Sequence, residues 1–271
     1  MKKTRKLTLL LLTVLSLTLM MGLSASAATR RKLIKTEKHY NADGKLSYSY
    51  SYKYNSKGDL TSETWKDYDD GKVVSKGTTT IKRTYYKGTR RTKKVTYKQS
   101  GSKYTYSYSY KYNSRGAMKT SVYKNSDGGY NKTTYKTSGS RIKSSVTKDK
   151  NGKKLRSSKY NSRGNVTSTT YSEEDGNYTY KYKYTYKNGV IRKEVVTHKN
   201  GKSTYYYNSH GDTTKYESKD GDYSYKVKYK NTYKGGYLKE KIYYYYDKET
   251  KKYVKSSKTT YTWTSKKYNL G

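Results

Sequence analysis

The residues able to do covalent chemistry are few and scattered. Three histidines occur, His39, His198 and His210. His210 fills a place in a short recurring phrase that Lys57, Arg115 and Arg163 fill in other copies, so it reads as a turn residue and not as a general base. His198 stands alone, and His39 lies near the start of the chain. No nucleophile elbow, no metal-binding histidine spacing and no phosphate-cradling glycine loop is present. The absence of cysteine removes thiol and disulfide chemistry. Asp67, Asp69 and Asp70 precede Gly71, and Glu173, Glu174 and Asp175 precede Gly176. Either group has oxygens for calcium, but neither has an EF-hand spacing, and aspartate before glycine is turn chemistry. The expectation is a protein that is not an enzyme and needs no cofactor or metal.

Binding chemistry is better represented. Residues 48–54, 104–112, 178–186 and 223–229 alternate tyrosine, or once valine, with small or basic residues. A period of two puts the rings on one face of a strand and Ser, Thr or Lys on the other. Rings stack on sugars or bases, and interleaved lysines hold phosphate or carboxylate. Tyr106, Tyr108, Tyr110, Tyr180, Tyr182 and Tyr184, with Trp65 and Trp263, are the candidate stacking residues. The competing reading is that the rings pack on one another as a core. The chain uses tyrosine 40 times and phenylalanine never, which suits aromatic faces whose tips stay wet.

The elements that carry these stripes must be strands joined by tight turns. One phrase recurs as Tyr54-Asn-Ser-Lys-Gly58, Tyr112-Asn-Ser-Arg-Gly116, Tyr160-Asn-Ser-Arg-Gly164 and Tyr207-Asn-Ser-His-Gly211, with Tyr40-Asn-Ala-Asp-Gly44 a close relative. Asn and Ser brace a turn, and Gly44, Gly58, Gly116, Gly164 and Gly211 supply the positive φ. There is no proline to make turns instead. Turn glycines recur every 10 to 17 residues, and about sixteen strands fit between Tyr40 and Tyr268. No segment after the leader has a 3.6-residue period, so no helix is expected there. The predicted fold is all-β: an antiparallel meander forming a twisted, coiled or spiral repeat sheet. Repeat spacing alone does not decide whether it closes.

Residues 1–27 read as a secretory signal peptide, with a basic start, an apolar run to Leu23 and Ala25-Ser-Ala27 as the cleavage pattern. Residues 28–39 are expected to be a flexible segment, and 40–271 one tyrosine-rich β-repeat domain. No later stretch is apolar enough for a spanning helix, so the mature chain is expected to be exported without a stable membrane span. The formal charge is +41, of which the leader carries four, leaving +37. Low mean hydropathy, −1.27, together with such charge would suit disorder. The aromatic and β-branched residues at strand positions argue for a folded chain.

The phrase Tyr-Asn-x-x-Gly-x-Leu-Thr-Ser at 54–62 resembles the YD (RHS/YD) repeat of bacterial secreted and wall-associated proteins, as does 200–211. That likeness spans about residues 40–260 and implies a long antiparallel array, often wound as a spiral strip. Residues 205–211 and 112–118 also resemble choline- and glucan-binding repeats. Those rely on tryptophan-rich cages, and this chain has only Trp65 and Trp263. The resulting expectation is a basic, non-catalytic β-repeat protein held noncovalently at a Gram-positive-type cell wall, since residues 255–271 show no sorting motif or hydrophobic tail. Its lysines would contact an anionic cell-wall polymer or acidic glycan, with extracellular DNA a further candidate partner. The alternative is a glycan-binding adhesin that uses exposed tyrosine faces.

Overall fold

The computed structural model describes residues 30–174, 176–265 and 267–269; the signal peptide and Asp175 lie outside them. The strands are β1 Arg30–Arg31, β2 Ile34–Tyr40, β3 Leu46–Tyr54, β4 Leu60–Asp69, β5 Lys72–Tyr85, β6 Thr92–Gln99, β7 Thr105–Tyr112, β8 Met118–Asn125, β9 Tyr130–Ser138, β10 Arg141–Asp149, β11 Lys154–Tyr160, β12 Val166–Glu173, β13 Gly176–Lys187, β14 Val190–His198, β15 Gly201–Tyr207, β16 Thr213–Asp220, β17 Tyr223–Lys234, β18 Tyr237–Asp247, β19 Lys252–Trp263 and β20 Tyr268–Asn269. Among the described residues no helix occurs. From β2 to β19 each strand pairs antiparallel with the next, and β19 pairs with β2 to close an 18-stranded barrel. β1 and β20 form a separate two-stranded ribbon.

Two sequence expectations are corrected here. The sheet is not an open or spiral strip: it closes. The segment expected to be loose contains β2, the strand that closes it. Thr36 to Tyr40 pair with β3, and the whole strand pairs with β19. Glu37 takes the place between Tyr50 and Tyr261 that a tyrosine would fill. Without a ring stripe or a leading glycine turn, Ile34–Tyr40 does not announce itself as a strand.

Bulges accompany closure. The ladder slips by one residue just before Tyr54, Tyr85, Tyr112, Tyr160, Tyr186, Tyr207 and Tyr233. The extra residue sits on the following strand. In two cases it is a threonine that anchors the slip: Thr61 Oγ1 donates to Lys53 O at 3.2 Å and Thr214 Oγ1 to Tyr206 O at 3.2 Å. Each bulge adds local twist and bends the strand, and such bends, repeated around a sheet, bring its edges together.

The meander sends alternate turns to opposite ends. Residues 55–59, 113–117, 161–165 and 208–212 all lie at one end, here termed the basal rim; the fifth copy, 41–45, lies at the opposite, apical rim. Each turn is held by its asparagine. Asn161 Oδ1 accepts the backbone N–H of Arg163 and of Asn165 at 3.0 Å, and Asn208 does the same for His210 and Asp212. Asn125 and Asp149 build the same device in 125–129 and 149–153. The wider pattern is Asn or Asp, two residues, Gly.

Replacing Gly164, at φ +82°, by alanine should cost about 1–2 kcal/mol, read as a lower denaturation midpoint. Gly77→Ala should also destabilise, for a different reason. Its φ is not positive, but a Cβ there would lie 2.7 Å from the Trp65 indole, so Trp65 must shift and its fluorescence should change in the folded state.

Candidate polyanion-binding surfaces

The period of two sorts the barrel wall into an inner and an outer face. In β13, Tyr180, Tyr182, Tyr184 and Tyr186 are half-buried while Lys181, Lys183 and Lys187 are exposed. In β17, Val227 is 1 % exposed between the exposed Lys226 and Lys228. The ring-bearing face is the inner one. Its charged groups sense each other across strands that are not neighbours: Glu37 on β2 helps raise the pKa of Glu63 on β4, and also acts on Lys241 on β18. Burial is the leading cause in both cases; it raises Glu63 and lowers Lys241.

The inner face has an aromatic sector and a small-polar sector. Tyr97 and Tyr106 stack at 4.6 Å, and Tyr205 lies 4.7 Å from Tyr216. Ile81, Val95 and Tyr110 form a buried cluster backed by Leu60, Tyr97, Tyr108, Tyr112 and Met118. Across β9 to β12 the inward positions hold hydroxyl pairs instead, Thr133 with Thr147 at 2.9 Å and Ser158 with Thr169 at 3.1 Å. Burial pushes the hydroxyls of Tyr48, Tyr123 and Tyr205 up to about 12, and raises Tyr106, Tyr108, Tyr110, Tyr182 and Tyr184 as well.

The stacking candidates from the sequence therefore line the inside. Tyr106, Tyr108 and Tyr110 follow one another along β7, and Tyr108 packs on Tyr123 at 5.3 Å. Tyr184 donates to Val166 O at 2.8 Å. Trp65 covers Gly77, and Trp263 packs on Tyr237 at 5.0 Å while its Nε1 donates to Leu238 O at 2.7 Å. Tyr180 and Tyr182, together with Tyr171, Glu173 and Tyr178, line a depression of about 400 Å³ at the apical mouth. Gly58, Gly116, Gly164 and Gly211 are brought together on the basal rim, and Gly44 is not. Among the described residues no group of three or more His, Asp or Glu is placed to hold a metal. Asp70 instead pairs with Lys45 at 2.8 Å.

On the basal rim a terminal tyrosine from a neighbouring hairpin plugs three of the four turns. Tyr85 donates to Asp59. Tyr186 accepts from Asn165 at 2.6 Å. Tyr233 accepts from Asn208 at 2.6 Å and donates to Asp212. The turn's basic residue then lies on the ring: Lys57 at 4.7 Å over Tyr85, Arg163 at 4.3 Å over Tyr186, and His210 stacked on Tyr233 at 4.1 Å. This explains why Lys, Arg and His interchange there, since each is a flat or cationic partner for a ring. The pairing joins separate hairpins, so spacing along the chain does not reveal it.

No family model and no curated protein matches this chain. Among solved structures it is similar to a porin-like protein from Bacteroides uniformis, at 14 % identity and TM-score 0.50, covering 87 % of this chain and all of that one. Weaker likenesses are to a porin-like protein from Bacteroides vulgatus, at 10 % identity, TM-score 0.28, and 86 % and 99 % coverage, and to the Tc holotoxin pore of Photorhabdus luminescens, at 11 % identity, TM-score 0.26, and 77 % and 14 % coverage. The first is a likeness of fold alone. It overturns the YD-repeat reading, because the chain closes like a porin-like barrel and does not wind as a spiral strip. The Gram-positive cell-wall setting falls with that reading.

The raised tyrosine pKa values carry a pH prediction. The unfolded chain gives up these protons near pH 10, whereas the native barrel holds those of Tyr48, Tyr123 and Tyr205 to about 12. Stability is full below pH 10 and lost as pH rises from 10 through 12. Tyrosinate absorbance should rise late and steeply, together with loss of the β circular dichroism signal. A simple titration centred on pH 10 with the fold intact would contradict the inward placement.

Proposed function

We propose that the chain is an exported, water-exposed barrel that binds anionic polymers through its outer wall. One observation carries this reading: lysines face lysines directly across the outer strands. Lys66 lies opposite Lys76, Lys132 opposite Lys148, and Lys202 opposite Lys219, and all six are exposed. Like charges placed opposite each other destabilise a sheet. A polyanion laid along the wall relieves that repulsion and releases its own counterions, which makes binding favourable and steeply salt-dependent. The same lysines argue against a lipid-facing wall. A membrane barrel carries an outward apolar band, and each lysine at the bilayer midplane costs about 2–4 kcal/mol.

Binding of the mature protein to heparin, DNA and poly-L-glutamate across a salt series tests the reading. The logarithm of affinity should fall linearly with the logarithm of salt concentration for all three. Lys66→Gln, Lys132→Gln and Lys202→Gln together should flatten that slope without lowering the melting temperature. No binding to any of the three at low salt would end the proposal.

The alternative, glycan binding, draws support from the apical depression walled by Tyr171, Tyr178, Tyr180 and Tyr182, with Glu173 beside them. It requires binding that persists in high salt, competes with a free sugar and is weakened by Tyr182→Ala.

A further inference from the structure

The two kinds of basic residue are not mixed evenly over the barrel. Lysines occupy the outer wall and both rims, with Lys241 an exception on the inner face. The arginines gather at the basal rim: Arg90, Arg91, Arg115, Arg141 and Arg163 sit in or beside its turns, and Arg83 and Arg192 lie within three residues of them. β1, with Arg30 and Arg31, leads into β2 at the same end. Among the described arginines only Arg156 lies toward the other end. Acids are divided the opposite way. Asp43, Asp70, Asp127, Glu174, Asp222 and Glu249 each belong to a different apical turn, whereas the basal turns hold Asp59 and Asp212, and each of those accepts a tyrosine hydroxyl.

Part of the basal rim is continuous. Arg90 Nη2 donates to Lys57 O at 2.6 Å, which ties turn 86–91 to turn 55–59. The Arg91 guanidinium lies over Gly116, where a Cβ would be 2.6 Å from its Nη2. The Arg115 guanidinium lies over Gly139, 3.3 Å from the position of a Cβ. Lys57, Arg90, Arg91 and Arg115 therefore run as an arc over four successive basal turns, and Gly116 and Gly139 leave room for the guanidinium planes. Just inside the arc, Arg83 Nε is buried without a hydrogen bond, 3.8 Å from Asp59 Oδ1.

Guanidinium and ammonium groups recognise anions differently. A guanidinium offers a planar fork that matches the oxygens of a phosphate, whereas an ammonium acts as a point charge. General attraction needs only lysine, which the wall supplies. We propose that the arc of Lys57, Arg90, Arg91 and Arg115 is a phosphate-recognition site that takes a phosphate-bearing polymer laid along the basal rim. Successive basal turns are two strands apart, about 10 Å, too far for one phosphate to span the arc, so the ligand carries several. This rests on the polyanion-binding reading for its setting, but on arginine geometry and not on total charge.

The test uses inorganic polyphosphate as the probe and poly-L-glutamate as the comparator. The variant Arg90→Lys, Arg91→Lys, Arg115→Lys conserves charge. It should lower polyphosphate affinity about tenfold at near-physiological salt, leave the salt slope in place and leave polyglutamate binding unchanged. Unchanged polyphosphate affinity overturns the proposal, and an equal loss for polyglutamate overturns the preference for phosphate. Independently of any variant, polyphosphate should protect Arg90, Arg91 and Arg115 of the native protein from an arginine-selective dicarbonyl reagent, read by peptide mass spectrometry; equal labelling with and without polyphosphate overturns the site. Loss of binding in the wall-lysine variant leaves this proposal standing if arginine protection persists. Intact wall binding without arginine protection removes the rim site alone.

Discussion

The fold depends on the tyrosine hydroxyl. The inner face of this barrel is largely half-buried, and this chain, with a mean hydropathy of −1.27, has too little aliphatic material to cover it. Rings supply the apolar area, and several of their hydroxyls find protein acceptors, which offsets the cost of covering a polar tip. Tyr54 donates to Ile34 O at 2.8 Å, Tyr86 to Tyr110 O at 2.7 Å, and Tyr112 to Thr92 O at 3.2 Å. Each of these bonds joins different strands or strand ends and adds to the backbone ladder. Phenylalanine would fill the same space without stitching the strands, a physical reason for 40 tyrosines and no phenylalanine.

Much of this architecture is legible in the sequence, and what is not has identifiable causes. Period-two stripes at 48–54 and 178–186 mark strands without ambiguity, and the Asn-x-x-Gly phrases mark their turns. Closure is hidden because it depends on one-residue slips, such as those before Tyr54 and Tyr233, which leave the alternation intact up to the last residue. β2 is hidden because Glu37 breaks the ring stripe. The candidate stacking tyrosines of β7 and β13 share one face of their strands, but alternation alone does not say which face of a sheet turns inward. The basal arc is invisible for another reason. Lys57, Arg90, Arg91 and Arg115 are joined only by the parity of turns in a meander, which requires the strand count to be right.

Placing side chains by parity also partitions charge. Inward acids such as Glu37, Glu63 and Glu194 lie among tyrosine hydroxyls, with Tyr52 donating to Glu37 at 3.4 Å and Tyr207 to Glu194 at 2.8 Å. Outward lysines are left facing each other, and the two rims differ in composition, with arginines gathered at the basal one and most turn acids at the apical one. A chain of one overall charge thus presents three distinct electrostatic surfaces, set by strand direction and side-chain alternation.

The pairing of β19 with β2 has a kinetic consequence. Every other rung of the barrel joins consecutive strands, so the sheet can zip locally from many starting points, as in a repeat protein. The last seam joins residues more than two hundred positions apart, Lys38 opposite Thr260 for example, and gains nothing from neighbouring turns. Until it forms, the assembled sheet has two open edges able to recruit strands from other chains. Closure therefore carries the largest chain-closure cost of any rung in the barrel, and the lysines that crowd the wall disfavour edge-to-edge pairing between copies.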